Sequence, residues 1–417
     1  MYKFMLSIVL SILCLCGCNK GTTLSEDNQG AGGEVVIVQE TAPSRQLAYA
    51  KANIQSIRNG EAALQLLVKD ADKALTTAIA PVTEKKIVAV SGDKHDYVSM
   101  GPYWWPDPTK PDGLPYIRRD GERNPEIYEL DRYKMDAMIK SVVTLGYAYY
   151  FTEEERYAEK AVENLRLWFL NEETRMNPNL DYAQMIPGHN NGKGRGYGII
   201  DVYGMIEMVD CIQLLSKSRA MKETDLKALK QWFGDFVEWL LNSENGKEEY
   251  RAANNHGTAY DAQVAAYAMF ANKKEVSLNL IKGFATKRIF NQVEPDGSQP
   301  LELERTLAFH YTLFNISHMM DMAALAQCFG IDLYNATSDD GRSITQAIEF
   351  IKPYLGKPQS EFPYQQIREW GENQERLCWI LRRATFFKEN KEYDLLFNTY
   401  CTTSVKNRNW LLYTKQE

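Results

Sequence analysis

Arginine, histidine and tyrosine fall within one short run, Arg305-Thr306-Leu307-Ala308-Phe309-His310-Tyr311, where a turn feeds a helical pattern. A second histidine stands upstream among amides, in Asn254-Asn255-His256-Gly257, and the chain has only five histidines in all. A lone histidine is more often a structural hydrogen-bonding group than a catalyst. The three residue types together, however, are those needed to eliminate the substituent at C4 of a uronic acid. That reaction requires a neutralised carboxylate, removal of the C5 proton and protonation of the departing O4. Neutralisation comes first, because the C5 proton is acidic only when the carbanion can spread its charge into the carboxyl group. Arg305, the carboxamide of Asn255 and the carboxyl of Glu249 are candidates for it, the last if burial keeps it protonated. His256, with a reference pKa near ~6.5, is the candidate base and Tyr311 the candidate acid. The set needs no cofactor, and no His, Cys or acidic cluster has the spacing of a metal site.

Contacts to a sugar chain would come from segments that interrupt the helical pattern. Between Asp96 and Gly121 lie Tyr103-Trp104-Trp105 and, further on, Arg118-Arg119. Aromatic faces pack on the C–H faces of sugar rings and arginines fork onto carboxylates, so Tyr103, Trp104, Trp105 and Arg118 are candidate ligands for an acidic glycan. The same aromatics would equally serve to plug a ring of helices. The glycine-dense stretch Pro187 to Gly198 contributes His189 and Arg195 just before a helix, where an anion could bind. It lacks the GxxxxGK[ST] arrangement and follows no strand, so a nucleotide phosphate is not indicated. Asp296 to Tyr311 adds Gln299 and His310.

These groups must be held by helices. Apolar residues at three- and four-residue spacing predict helices over Ser44–Leu75, Asp131–Phe151, Glu154–Leu170, Gly198–Leu215, Glu223–Leu241, Thr258–Phe270, Glu275–Ile289, Phe309–Phe329, Ser343–Tyr354, Asn373–Phe387 and Tyr393–Tyr400. Strands are expected only at Glu34–Gln39 and Ile87–Val90. Long helices with short polar connections pack as antiparallel pairs, which implies an all-α chain folded as an α/α toroid, an incomplete barrel of about six to seven helical hairpins. No fixed repeat is present, so the ring should be irregular. Asp93–Glu126, Met176–Gly198 and Pro295–Arg305 interrupt the pattern and are the segments expected to carry function.

Residues 1–17 read as a secretory signal: Lys3 precedes an apolar run from Phe4 to Leu15, too short for a membrane span. Leu15-Cys16-Gly17-Cys18 has the form of a bacterial lipobox, which would make Cys18 the acylated first residue; an ordinary signal cleavage would export the chain as well. Asn19 to Gly33 is polar and lacks an apolar face, as in a flexible tether assigned to residues 18–40, leaving 41–417 as the folded domain. The expected location is therefore the periplasm or outer-membrane surface, with membrane contact through the lipid anchor only. Of the seven cysteines, Cys211, Cys328, Cys378 and Cys401 lie beyond the leader and tether, without ligand spacing, and an exported location permits one disulfide. With 48 basic and 55 acidic residues the net charge is −7, which argues against nucleic acid and means that an acidic substrate must meet a locally basic cleft. A monomer is the default.

Four segments in order, DYVSMGPYWWPDP, NPNL…GRGYGIID, NNHG and DGSQPLELERTLAFHY, resemble the alginate lyase superfamily of polysaccharide lyases, nearest to polysaccharide lyase family 38, over roughly Asp93 to Gly330. The resemblance implies an α/α toroid whose cleft holds a uronate polymer. It implies proton transfer by His256 and Tyr311, with Arg305, Asn255 and Glu249 on the motif arginine, asparagine and acid. Two other readings remain open: a toroid hydrolase using a carboxylate pair from Glu302, Glu304 and Asp261, and a non-catalytic glycan-binding lipoprotein.

The lipobox has a direct consequence. Cys18→Ala should leave catalysis intact and release the protein from membranes on fractionation, because acyl chains supply the only anchor; a variant that stays membrane-bound after processing contradicts it.

Overall fold

The computed structural model describes residues 41–401 and 407–414. The leader, Cys18 and the expected strand Glu34–Gln39 lie outside these residues. The helices are α1 (Ala42–Ala52), α2 (Gly60–Thr76), α3 (Asp131–Thr152), α4 (Glu155–Leu165), α5 (Met205–Leu215), α6 (Glu223–Asn242), α7 (Glu244–Arg251) and α8 (Asn255–Phe270). They continue with α9 (Lys274–Phe284), α10 (Phe290–Gln292), α11 (Pro300–Leu303), α12 (Ala308–Gln327), α13 (Ile344–Ile351), α14 (Trp370–Phe387), α15 (Lys391–Tyr400) and α16 (Asn409–Leu412).

Burial divides them into two layers. α8 is buried on every face, from Gly257 through Phe270, and α3, α5 and α12 bury most of their length. Helices that are apolar all round need neighbours on all sides. These form the inner wall: α3 packs on α5, α5 on α8, α8 on α12 and α12 on α14. Amphipathic helices back this wall, each with one buried face, as in α4 with Tyr157, Ala158, Ala161, Val162 and Leu165. Outer α4 lies against α3, α6 and α9 against α8, α13 against α12 and α15 against α14. α1 and α16 complete the circuit, α1 touching α12, α14 and α16, and α16 touching α2. The result is an irregular α/α toroid. No described helix is long and apolar enough to cross a membrane.

Several boundaries differ from the sequence expectation for local reasons. Ser44–Leu75 is broken between α1 and α2, where Asn59 takes a left-handed φ of 60°. Glu154–Leu170 and Glu275–Ile289 end in single π-helical turns, Arg166–Leu170 and Ala285–Ile289. The first half of Gly198–Leu215 is a 3-10 helix, Gly196–Val202. Ile87–Val90 forms no strand; Ile87 and Val90 are exposed. Pairing occurs instead inside the loops: β1 (Val98–Met100) runs parallel to β4 (Tyr182–Met185), and β2 (Trp104–Trp105) antiparallel to β3 (Ile117–Arg118). α7 escaped detection because its sequence, ENGKEEYR, is polar and buries only Gly246 and Glu249. Cys378 and Cys401 form a disulfide between α14 and the end of α15, whereas Cys211 and Cys328 are buried outside it.

One buried ion pair fastens the corner between α7 and α8. Arg288, in the π turn after α9, donates to Asp261 of α8 at 2.7 and 3.1 Å, and to the carbonyls of Ala252 and Tyr250 at 2.7 and 2.8 Å. Burial pushes the Asp261 carboxyl above its ordinary pKa even though Arg288 pulls it down. Removing Asp261 would strand a buried cation, so Asp261→Ala should lower unfolding free energy by about 3–5 kcal/mol in urea titrations. An unchanged midpoint would show that the pair is dispensable.

Candidate active site

The α7–α8 corner sets one side of the site. Asn254 caps α8 by accepting from the His256 N–H at 3.2 Å, placing Asn255 and His256 in the first turn. His256 Nδ1 lies 2.6 Å from Glu249 Oε1 on α7. With Glu249 ionised, Nδ1–H donates to it and Nε2 carries the free lone pair. Asn255 is held from the other direction by Glu302 of α11, which accepts from its backbone N–H and its Nδ2, both at 2.6 Å. Burial raises the Glu302 pKa, and the two Asn255 donors oppose the shift. Asn255 Oδ1 and Glu249 Oε2 are buried without a protein partner. Glycine follows His256 because a Cβ on Gly257 would stand 2.1 Å from the Ala252 carbonyl oxygen and 2.3 Å from Arg288 Nη1.

The start of α12 sets the other side. Leu307 bridges to Gln366, whose side-chain oxygen caps the helix by accepting from the N–H groups of Phe309 and His310 at 3.0 and 3.3 Å. Tyr311 in that first turn has its hydroxyl 3.0 Å from the hydroxyl of Tyr103. The Arg305 guanidinium lies 3.9 Å from the centre of the Tyr311 ring. Burial and Tyr103 raise the Tyr311 pKa while Arg305 opposes the rise, so the hydroxyl keeps its proton well above neutral pH. The Arg305 fork, expected to grip a substrate carboxylate, already holds Asp120 through Nε and Nη2 at 3.2 and 2.9 Å. What Arg305 still offers is Nη1 and its charge. Burial works against the Asp120 charge, yet Arg305 and Arg118 hold its carboxyl well below the usual range.

His256, Asn255, Arg305 and Tyr311 open on one cleft of ≈ 510 Å³. Its wall carries six arginines, at 118, 123, 132, 195, 305 and 376, and a single carboxylate, Glu369. The negative chain therefore has a strongly positive cleft. Tyr103, Trp104, Arg118, Arg195 and His310 line it, as expected of substrate ligands. Arg195 sits between the rings of Trp104 and Tyr197, 5.7 and 4.9 Å from their centres, and the Tyr197 ring is 4.5 Å from His256.

Four expected residues stand elsewhere. Glu249 lies behind His256 rather than in the cleft. Trp105 bonds the Glu122 carbonyl under Arg119, and His189 packs on Trp104 while its Nε2 meets the Tyr116 carbonyl. Gln299 is buried and accepts from Asn315 at 2.8 Å, so it is a core amide. Arg123, Arg132, Arg376 and Tyr197 were missed, as scattered residues brought together only by the fold. The hydrolase carboxylates do not form a pair facing the cleft: Glu302 is bound to Asn255, Asp261 to Arg288, and Glu304 is exposed outside it.

A proton acceptor and a protonated tyrosine beside a wall of arginines suit elimination from an acidic sugar, and the surrounding toroid places this chain among the polysaccharide lyases. Residues 81–362 match the family model described as alginate lyase, and the chain belongs to that family. It is similar to the crystal structure of an alginate lyase from Bacteroides ovatus, at 51% identity and a TM-score of 0.88, covering 91% of this chain and 100% of the other. The fold is shared with alginate lyase A1-III from Sphingomonas species A1, at 16% identity and a TM-score of 0.59 over 89% of this chain and 95% of the other. A complex of an A1-III variant with a tetrasaccharide superposes with a TM-score of 0.60 at 16% identity, over the same shares of the two chains. Comparison with curated proteins finds no match.

The contacts around Gly257 make a sharp test. Gly257→Ala would push on the Ala252 carbonyl and Arg288 and displace the first turn of α8. Because ~1 Å of misplacement can cost ~10²-fold in rate, kcat should fall by about that factor, with a lower Tm. Parent-like kinetics would show that the corner has room to give.

Proposed function

We propose that this lyase cleaves alginate by β-elimination, using His256 as base and Tyr311 as acid and yielding unsaturated oligouronates. The observation that carries this reading is that both residues open on one arginine-lined cleft that contains no pair of carboxylates. The names of its relatives support the substrate: the Bacteroides ovatus protein is an alginate lyase, and A1-III variants with histidine or tyrosine replaced are described in complex with a tetrasaccharide.

The steps follow from the groups present. The uronate carboxylate faces Arg305 Nη1 and the second N–H of Asn255 Nδ2, the one not given to Glu302, which draw charge out of the developing carbanion. Nε2 of His256 takes the C5 proton, and Glu249 on Nδ1 stabilises the resulting imidazolium. The electron pair forms the C4–C5 double bond as the C4–O4 bond breaks, and Tyr311 gives its proton to O4. The raised Tyr311 pKa keeps that proton on oxygen until the leaving group needs it. Arg305 against the ring and the Tyr103 hydroxyl then stabilise the phenolate. Proton return from His256 to Tyr311, directly or through water, restores the enzyme.

The lipobox and polar tether support a place for this reaction at the cell envelope, with the toroid held away from the membrane by residues 18–40. Growth of ultraviolet absorbance from the new double bond on alginate is the primary assay. Tyr311→Phe removes only the hydroxyl and should fold normally while losing ~10²- to 10⁴-fold in kcat, with His256→Ala losing a comparable factor. A Tyr311→Phe variant with the parent's kcat would remove Tyr311 from the mechanism.

A further inference from the structure

The positive charges of the cleft are not equally engaged. Arg118 and Arg305 share Asp120. Arg132 is paired with the buried Asp201. Arg195 donates to the Gln184 amide at 3.1 Å and rests between two aromatic rings. Arg376, on α14, like Arg123 and Arg195 forms no salt bridge with any described carboxylate, and it differs from both in bonding the histidine that packs against Tyr311. The one acid on the cleft wall, Glu369, is bonded to Arg368 at 3.1 Å and lies 3.7 Å from His310.

Arg376 stands with Tyr203 and Phe314 where the cleft borders a second cavity of ≈ 370 Å³, and all three side chains line both spaces. Its hydrogen bond to a side chain runs from Nη1 to His310 Nδ1 at 3.4 Å. His310 in turn packs edge-on against Tyr311, with 5.2 Å between ring centres. Where Arg376 donates to Nδ1 the neutral ring carries its proton on Nε2; the Glu369 carboxylate lies 3.7 Å from the same Nδ1, and Asn373 also bonds the ring. Burial, reinforced by the Arg376 charge, lowers the His310 pKa to about 3, and burial lowers that of Arg376 as well. The Glu369 charge offsets only part of this burial, and Glu369 is itself bonded to Arg368, so the guanidinium gains from an arriving anion.

We infer that Arg376, together with His310, anchors the carboxylate of the uronate adjoining the one that undergoes elimination. Arg376 is then a specificity-determining residue: the centre at His256, Tyr311 and Arg305 engages one carboxylate, and Arg376 engages the next along the chain. A polymer bearing acid on consecutive units satisfies both positions, and a chain with neutral sugars between its uronates satisfies only one. The inference rests on the uronate-cleaving reading of the cleft and adds the register in which the chain lies.

The test compares the parent with Arg376→Gln and Arg376→Lys on alginate and on partly carboxyl-reduced alginate, in which some uronates have become neutral hexoses. A lost charge-assisted contact corresponds to a ~10-fold or larger rise in KM. Arg376→Gln should show that rise with a much smaller change in kcat, and Arg376→Lys should recover part of it. Carboxyl reduction should cost the parent more than it costs Arg376→Gln, because the variant no longer reads the missing group. Equal losses for parent and variant, or an unchanged KM on alginate, overturn the inference. So does a fall in kcat and Tm together with KM unmoved, which is the signature of a structural strut. Binding is read separately, by calorimetry of a tri-uronate with Tyr311→Phe and with the Tyr311→Phe/Arg376→Gln double variant. Failure of the lyase reading appears as a parent that makes no double bond on alginate, whereas failure of the anchor appears as equal affinity in these two proteins.

Discussion

Holding positive charge away from water is the constraint on which this cleft depends. A guanidinium at the mouth of a helical ring must be fixed in direction, yet a full counter-charge would cancel its attraction for an anionic chain. The structure meets both demands by placing acids behind the arginines and sharing them. Asp120 serves Arg118 and Arg305 together, so that group of three keeps one positive charge. Asp201 takes Arg132 while also accepting from Tyr97, Ser99 and Gln184, and Gln184 passes the orientation on to Arg195 through its other amide atom. The wall is thus rigid and still short of negative charge.

The same economy governs His256 and Tyr311. Both stand in the first turn of an inner helix, His256 on α8 and Tyr311 on α12, and those helices pack directly on each other. Each first turn is capped by an amide side chain, Asn254 on α8 and Gln366 on α12. A first turn is a rigid platform, so small loops around it can be reshaped without moving either side chain. The loop strands β1 to β4 do the reshaping here. They carry Tyr103 and Trp104 across from one side of the ring to reach α12.

How much of this could be read from sequence follows from the distance over which each feature is encoded. The inner helices were legible because long apolar runs are local signals, and so were His256, Asn255, Tyr311 and Arg305, which sit in short motifs. Asp120 was not legible as the partner of Arg305, since 185 residues separate them and neither neighbourhood names the other. Arg123, Arg132 and Arg376 lie in ordinary helical or loop contexts, and only closure of the ring turns them toward one space. Gln299 shows the opposite error: a polar residue beside a functional motif looked available, whereas the core claims it through Asn315 and Thr312. α7 was invisible because it buries Gly246 and Glu249 rather than an apolar stripe.

The disposition of carboxylates explains why an eliminating enzyme, rather than a hydrolytic one, suits this ring. Hydrolysis by the two-acid route needs two acids facing the glycosidic bond, and those acids would repel the carboxylate of the uronate being cleaved. Near the cleft, four acids instead face a base or a donor of the protein: Glu249 the His256 ring, Glu302 the Asn255 amide, Asp120 the Arg305 guanidinium, Asp261 Arg288. Turned away from the substrate, they orient the groups that meet it, and the substrate's own carboxylate becomes the missing counter-charge. Neutralising that carboxylate is also what acidifies C5. Binding and activation therefore draw on one electrostatic arrangement, which a pair of exposed acids in the same cleft would abolish.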